Sequence, residues 1–198
     1  MEKPAPVDHP ILDLFIRRWS PRAFSTRPVD ESTLRTLMEA ARWAPSSNNE
    51  QPWAFLVATR DEPDEHARLL EMLMPFNQTW AQHAHILVIS LTRTNWARDG
   101  KPNRHAFHDV GLATSQLILQ AVASGLFAHP MAGIHNDKIR ETYKLPEDVE
   151  PVAAIAIGWP GPMDDLPPVL QEREHAPRTR KEQGSFVFTG TWGSGRHI

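Results

Sequence analysis

Residues 117–123, Leu-Ile-Leu-Gln-Ala-Val-Ala, constrain this fold more than any other stretch of the chain. They sit in the longest helical pattern, about His105 to Leu126, and are apolar nearly all round. Such a helix belongs in a deep core or a subunit interface, because it has no polar face to turn to water. Three short apolar runs supply the rest of a core: Trp53 to Ala58 and Ile86 to Leu91 before the helix, and Val152 to Ile157 after it. Each reads as a strand covered on both faces.

Further helices fill the gaps. Asp8 is placed to cap one from about Pro10 to Arg18, with Ile11, Leu12, Phe15 and Trp19 on one face. A second starts near Asp30, where Leu34, Leu37, Met38 and Ala41 follow the helical spacing until Pro45 stops it. The charged stretch from Arg60 to Glu71 suits a surface helix, and a shorter one, about Asp137 to Tyr143, precedes the third strand. The pattern is α+β, a central sheet with helices on both faces.

With 198 residues, 40% of them hydrophobic, the chain suits one domain with a substantial core. Its prolines crowd the two ends, and after Pro160 the periodicity dissolves. The expected division is a core over residues 8–162 and an extended arm over 163–198. An arm of that composition cannot bury itself, so it is expected to wrap something, such as a second subunit.

Several chemistries are excluded or unsupported. A net charge of −3 offers no general attraction to nucleic acid or anionic membranes. The absence of cysteine removes disulfides, thiolate nucleophiles and iron–sulfur ligation. No apolar run approaches the roughly 20 residues that span a bilayer, and the start lacks a signal-like stretch, so a cytoplasmic location is the expectation. Among ten histidines, His83/His85 and His105/His108 are closely spaced. No third ligand stands at a recognisable metal-site spacing, so no metal site is expected. Gly-x-Ser-x-Gly is absent, and the only glycine-dense stretch, Gly190 to Gly195, has no helix after it, which rejects a Rossmann turn or P-loop. Any phosphate must therefore be held by side chains, chiefly arginine.

Two arginine groups and one loop remain. Arg18-Trp19-Ser20-Pro21-Arg22-Ala23-Phe24 resembles the Arg-x-Ser-x-Arg/Lys-x-Phe opening of the nitroreductase family of flavoproteins. Residues 45–53, Pro-Ser-Ser-Asn-Asn-Glu-Gln-Pro-Trp, resemble that family's Pro-Ser-Ser-x-Asn-x-Gln-Pro-Trp signature. Gly125-Leu126 followed by residues 129–134, then Ile157-Gly158-Trp159-Pro160, then Arg178-Thr179-Arg180-Lys181, resemble later family segments in the same order. The similarity runs from about residue 11 to 192.

The resemblance implies an α/β sandwich with a mainly antiparallel sheet, a homodimer with a domain-swapped C-terminal arm, and non-covalent FMN at the subunit interface touched by both chains. It implies transfer from NADH or NADPH through FMN to a small-molecule acceptor, a nitroaromatic, a quinone or a related compound, by a ping-pong scheme. The alternatives are a same-fold enzyme acting on a conjugated aldehyde, free flavin or halogenated substrate, and a flavin-binding protein without turnover. By position, Arg18 and Ser20 would hold the phosphate and ribityl chain, with Trp19 between them giving a backbone contact or packing. Arg22 would place a cation near the pyrimidine edge, where reduced flavin carries negative charge. Ser46, Ser47 and Asn49 would approach the ring, while Gln51, Pro52 and Trp53 shape the loop. Ala132 and Gly133 match a turn whose backbone N–H reaches flavin N5, although many relatives carry Glu at the first of these positions. Arg178 and Arg180 would close on the phosphate. No side chain is expected to act as an essential catalytic acid or base. Asn77 aligns too loosely with a ring-contacting Asn to be assigned.

Overall fold

A computed structural model describes residues 3–195. Its frame is a four-stranded antiparallel sheet in the order β1-β2-β4-β3, formed by β1 (Trp53–Thr59), β2 (Ile86–Arg93), β3 (Phe127–Met131) and β4 (Val149–Gly158). The two central strands alternate their apolar residues between two cores, as the two-residue period of a strand requires. Leu87, Ile89 and Leu91 of β2 and Ala154 and Ala156 of β4 face one core; Ile86, Val88, Ile155 and Ile157 face the other.

Helices cover both faces. The first core is closed by α3 (Pro63–Leu70), α4 (Pro75–Ala81), α6 (Asn136–Thr142) and α7 (Pro168–His175), through Leu69, Trp80, Ile139 and Leu170. The second is closed by α2 (Glu31–Arg42) and α5 (Ala106–Ala123), through Leu37, Ala41, Ala113, Leu117 and Ala121. α2 starts where expected, and Asp30 caps it, its carboxylate accepting the Thr33 N–H at 2.7 Å. The α+β sandwich of the sequence reading is therefore the observed architecture.

Four expectations change. β1 is an edge strand, hydrogen-bonded among the described residues only to β2. Leu56 and Ala58 pack on the first core and Trp53, Phe55 and Val57 on the second, so both faces are covered, but most of its residues are only half-buried. β3 was not expected, because Phe-Ala-His-Pro-Met reads poorly as a strand; an edge tolerates its Pro130. The long helix stops at Ala123, short of Leu126. Gly125 at φ +79 ends it in a Schellman turn, Leu126 N–H bonding Ala121 O at 2.8 Å and Gly125 N–H bonding Val122 O at 3.1 Å. The first helix shrinks to α1 (Asp13–Arg17), with Leu12 and not Asp8 at its N-cap. Of its expected apolar face only Trp19 is buried, while Ile11, Leu12 and Phe15 stay exposed.

The C-terminal segment divides differently from the expected arm. Met163, Leu166 and Leu170 enter the first core of this same chain, and Glu174 on α7 is only 1% exposed. Prolines and charges hid this docking, since α7 has no apolar stripe in sequence. From Ala176 onward the chain is largely exposed, with Trp192 at 92%.

Candidate flavin site

The segment 18–25 leaves α1 and is laced to the end of β4. Phe24 bridges Pro160, Ser25 N–H bonds Trp159 O at 2.9 Å, and Gly161 N–H bonds Ala23 O at 2.9 Å. A Cβ on Gly161 would lie 2.5 Å from the Phe24 carbonyl carbon, so only glycine permits this approach. The lacing fixes where Arg18, Ser20 and Arg22 emerge.

Arg178 comes to the same place from the far end of the chain. Its guanidinium donates to the carbonyls of Lys3, Ile16 and Arg18, each at 2.7 Å. Arg18 donates to Ser20 Oγ at 3.3 Å. Together Arg18, Arg178 and Arg180 wall a cavity of about 210 Å³ with Phe15 and Ile11. Among the described residues none of these three arginines pairs with a carboxylate. Burial, then the like charges of Arg178 and Arg180, hold the Arg18 pKa below its usual value; burial, then Arg180, does the same to Arg178. Cations gathered without counter-charge form a site for an anion. Phe15 and Arg18 also border a larger cavity, about 450 Å³, running along Gly111, Thr114, Ser115 and Ile118 of α5.

From this cluster the structure leads along β3 to the expected turn. Pro21 O accepts the Nδ1–H of His129 at 2.9 Å, and four residues later the chain reaches Gly133, a span of at most about 14 Å. Burial, reinforced by the charges of Arg22 and Arg18, lowers the His129 pKa to about 4, so the ring is neutral near pH 7. At the turn, Ile134 N–H bonds Ala132 O at 3.0 Å, while Gly133 O accepts Met74 N–H at 2.9 Å and Asn77 Nδ2 at 3.2 Å. Both carbonyls are thus occupied within the chain, and the Gly133 N–H is left as a donor without an internal acceptor among the described residues. A Cβ on Gly133 would stand 2.6 Å from Asn77 Nδ2.

The loop after α2 is built on unusual backbone. Asn48, Asn49 and Gln51 all have positive φ, at 53°, 55° and 52°, a conformation that costs a non-glycine residue on the order of 1 kcal/mol. Bonds within the loop hold it: Asn49 N–H to Ser46 O at 3.1 Å, Gln51 N–H to Ser46 Oγ at 3.0 Å, and Gln51 Nε2 to Asn49 O at 3.0 Å. Two carboxylates tether it outward. Asp109, buried in the first turn of α5, accepts Ser47 N–H at 3.0 Å. Glu50 accepts Ala97 N–H at 2.6 Å.

Comparison with known proteins identifies the family of the chain. The model of the nitroreductase family matches residues 16–159. The chain belongs to the nitroreductase family. A solved structure described as an oxidoreductase containing FMN is 36% identical, with a TM-score of 0.90 and 97% of each chain covered. An uncharacterized 15.4 kDa protein of Mycolicibacterium smegmatis is 33% identical over 71% of this chain and 97% of its own length. A protein of Rhodopseudomonas palustris with the provisional name NADH dehydrogenase/NAD(P)H nitroreductase is 32% identical over 63% of this chain and 72% of its own.

Set against the nitroreductase motifs, the expected residues fall into three groups. Arg18, Ser20, Arg178 and Arg180 come together, and Ala132 and Gly133 form the turn one strand away. Ser46, Ser47 and Asn49 sit at the other end of α5: Ser47 is tied to Asp109, whereas Arg17, next to Arg18, donates to Val122 O at 3.0 Å. Those anchor points are 13 residues apart, about 20 Å along a helix.

Arg22, expected to place a cation near the pyrimidine edge, is ion-paired within the chain. Its backbone N–H and Nη1 both bind Glu174, at 3.0 and 2.9 Å, so its charge is neutralised by a buried partner on the unforeseen helix α7. Trp19 is a packing group, its ring edge-on to Phe127 at 6.1 Å with the Lys3 ammonium 5.1 Å from its centroid. Asp109 and Glu174 are the residues that sequence reasoning missed, and Asn77 is the one it left unassigned. Only Asn77 had a signal, its loose family alignment. Asp109 reads in sequence as an ordinary acid complementing a helix N-terminus.

Among the described residues no helix is long and apolar enough to cross a membrane, and no group of three His, Cys, Asp or Glu could hold a metal ion.

Proposed function

We propose that the protein is an FMN-dependent oxidoreductase that draws on NADH or NADPH and reduces a small-molecule acceptor, a nitroaromatic or a quinone, in two successive half-reactions at one site. The observation that carries this reading is the uncompensated Arg18–Arg178–Arg180 cluster within one strand's length of the free N–H at Gly133. The residues present fit the cofactor. Three guanidinium groups and the Ser20 hydroxyl suit its phosphate. The missing Cβ at Gly133 keeps the turn close to Asn77 with its N–H open to a ring nitrogen. The 36% identical FMN-containing structure supports the same assignment.

When bound, FMN supplies the redox chemistry, accepting a hydride from the nicotinamide and passing it to the acceptor. The chain's own part is binding and orientation. Arg18 and Arg178 would hold the charged end, and the Gly133 N–H would orient the ring edge with a donor already in place. Ala132 contributes no acid or base, so we assign no catalytic side chain; water can supply the proton that the acceptor takes up.

We further infer a homodimer. Exposed Ile11 and Phe15 continue along the groove onto Gly111 and Ser115 of α5, small residues that permit close approach of a second copy. The exposed chain beyond Ala176, with Phe186 and Trp192, would cross to that partner. Two copies packed across α5 would bring the 45–52 loop of one to the arginine cluster of the other.

The test is a visible spectrum of the purified protein, followed by NADH or NADPH without oxygen. Flavin absorbance that bleaches, and returns on adding menadione or a nitrofuran, is the expected result. Colourless protein that takes up no added FMN would overturn the reading.

A further inference from the structure

We propose that Asp109 is a positioning residue, a buried carboxylate that holds the 45–52 loop in its left-handed shape from the first turn of α5. Three non-glycine residues at positive φ within four positions are uncommon, and such backbone persists only where its surroundings over-determine it. The bonds inside the loop close its turns but do not say where the loop sits. Ser47 N–H to Asp109 Oδ2, at 3.0 Å, is the bond that ties it to the core helix.

The chemistry suits an anchor. Asp109 is 2% exposed, so its carboxylate takes an N–H that water would otherwise serve, and an ionised acceptor makes the stronger bond. Ser46, directly before the donor, is extended at φ −144, ψ 157, and Ser47 begins the short 3₁₀ turn. The anchored N–H is therefore one of the donors that a helix start leaves without an internal partner. Shifting it would move Ser46 and Asn49 together. His108 also contacts the carboxylate, Nδ1 lying 3.3 Å from Oδ1, and occupies the second oxygen. That the anchored loop serves flavin rests on the function proposed above; that Asp109 sets its conformation does not.

The experiment separates the two. Amide hydrogen exchange over residues 45–55 reads the loop in the full-length protein, and FMN fluorescence titration reads affinity. Asp109→Leu removes the acceptor. Ser47→Pro removes only the donor side, at a position whose extended predecessor and helical start accept proline; Ser47→Ala, which keeps the N–H, is its baseline. Both disrupting variants are expected to speed exchange across the loop and weaken FMN binding about tenfold, a factor within reach of one charge-assisted hydrogen bond. Asp109→Asn keeps an acceptor oxygen and should recover most of both readouts, which a role confined to the charge at the helix start would not give. Unchanged loop exchange in Asp109→Leu and Ser47→Pro overturns the proposal, as does weakened FMN binding with exchange unaltered. If Asp109→Leu does not fold, Ser47→Pro against Ser47→Ala decides alone. Wild-type protein that binds no FMN would end the functional reading, while the exchange arm still decides the role of Asp109.

Discussion

The two ends of α5 prepare the candidate site by opposite means. At the C-terminal end the charge is out of balance and the backbone ordinary: Arg18, Arg178 and Arg180 share a cavity wall without a carboxylate among the described residues. At the N-terminal end the carboxylates are engaged by hydrogen bonds and the backbone is out of the ordinary. Asp109 and Glu50 accept main-chain N–H groups there, while Asn48, Asn49 and Gln51 hold left-handed conformations. One end stores electrostatic free energy that an anion would release; the other stores conformational strain that fixes a shape. Retention of a charged ligand and orientation of its uncharged part should therefore be separable by mutation.

The largest expected difference between the ends is in acid stability. His129 lies under the arginine end, and its pKa of about 4 in the folded chain is below the ordinary 6.5. A depressed folded pKa contributes stability that is complete above about pH 6.5 and is lost as pH falls from there to about 4, because only the unfolded chain takes up the proton in that window. The loss from this one group is up to roughly 3 kcal/mol. His129→Asn, which keeps a donor for Pro21 O, should show a smaller drop in urea midpoint between pH 7 and pH 4.5 than the wild type. Equal drops would mean that burial of His129 is not what makes this end acid-sensitive.

Arg178→Ala comes next. It removes one phosphate donor and also the ties to the Lys3, Ile16 and Arg18 carbonyls that seat the tail. Two charge-assisted bonds are worth roughly 3 kcal/mol together, so FMN affinity should fall about a hundredfold, with faster proteolysis after Ala176. Arg180, exposed and bonded among the described residues only to the adjacent Thr179 carbonyl, should cost about tenfold when replaced by Ala. Equal losses for the two variants would refute a seating role for Arg178.

How much of this contrast could be read from sequence follows the same division. Charge was legible, because arginine after an amphipathic segment is both a motif and a chemical requirement, and Arg18, Arg178 and Arg180 do converge. Shape was only partly so. The serines and asparagines announced a turn, but the three positive φ values and the Asp109 tether arise from packing that brings positions 47 and 109 together. Arg22 shows the limit plainly: its motif position was readable, its neutralisation by Glu174 was not, because α7 has no apolar stripe. β3 escaped for a related reason, its Pro130 being acceptable only because the strand lies at a sheet edge.

Gly133→Ala probes orientation without touching charge. The new Cβ would displace Asn77 from the Gly133 carbonyl, loosening the turn that presents the N–H. Reduction by NAD(P)H should slow about tenfold while FMN affinity changes by less than about threefold, since the loss corresponds to roughly one hydrogen bond. Stopped-flow bleaching beside fluorescence titration makes the comparison. A parallel fall in both would place the turn among the retention groups.

The smallest effect gives the cleanest discrimination. Ser46→Ala deletes the hydroxyl that accepts Gln51 N–H at 3.0 Å, a neutral bond worth about 0.5–1.5 kcal/mol, and FMN affinity should fall about threefold. Its signature is in the salt dependence. Raising NaCl from 50 to 500 mM shortens the screening length from above 10 Å to a few ångströms, so wild-type affinity should weaken about fivefold through the arginine end. Ser46→Ala should keep its threefold deficit at both concentrations, because no charge is lost. The deficit of Arg180→Ala should shrink at high salt, where the removed cation had less left to contribute. A salt-dependent deficit in Ser46→Ala would tie the loop to the charged end and dissolve the distinction between the two.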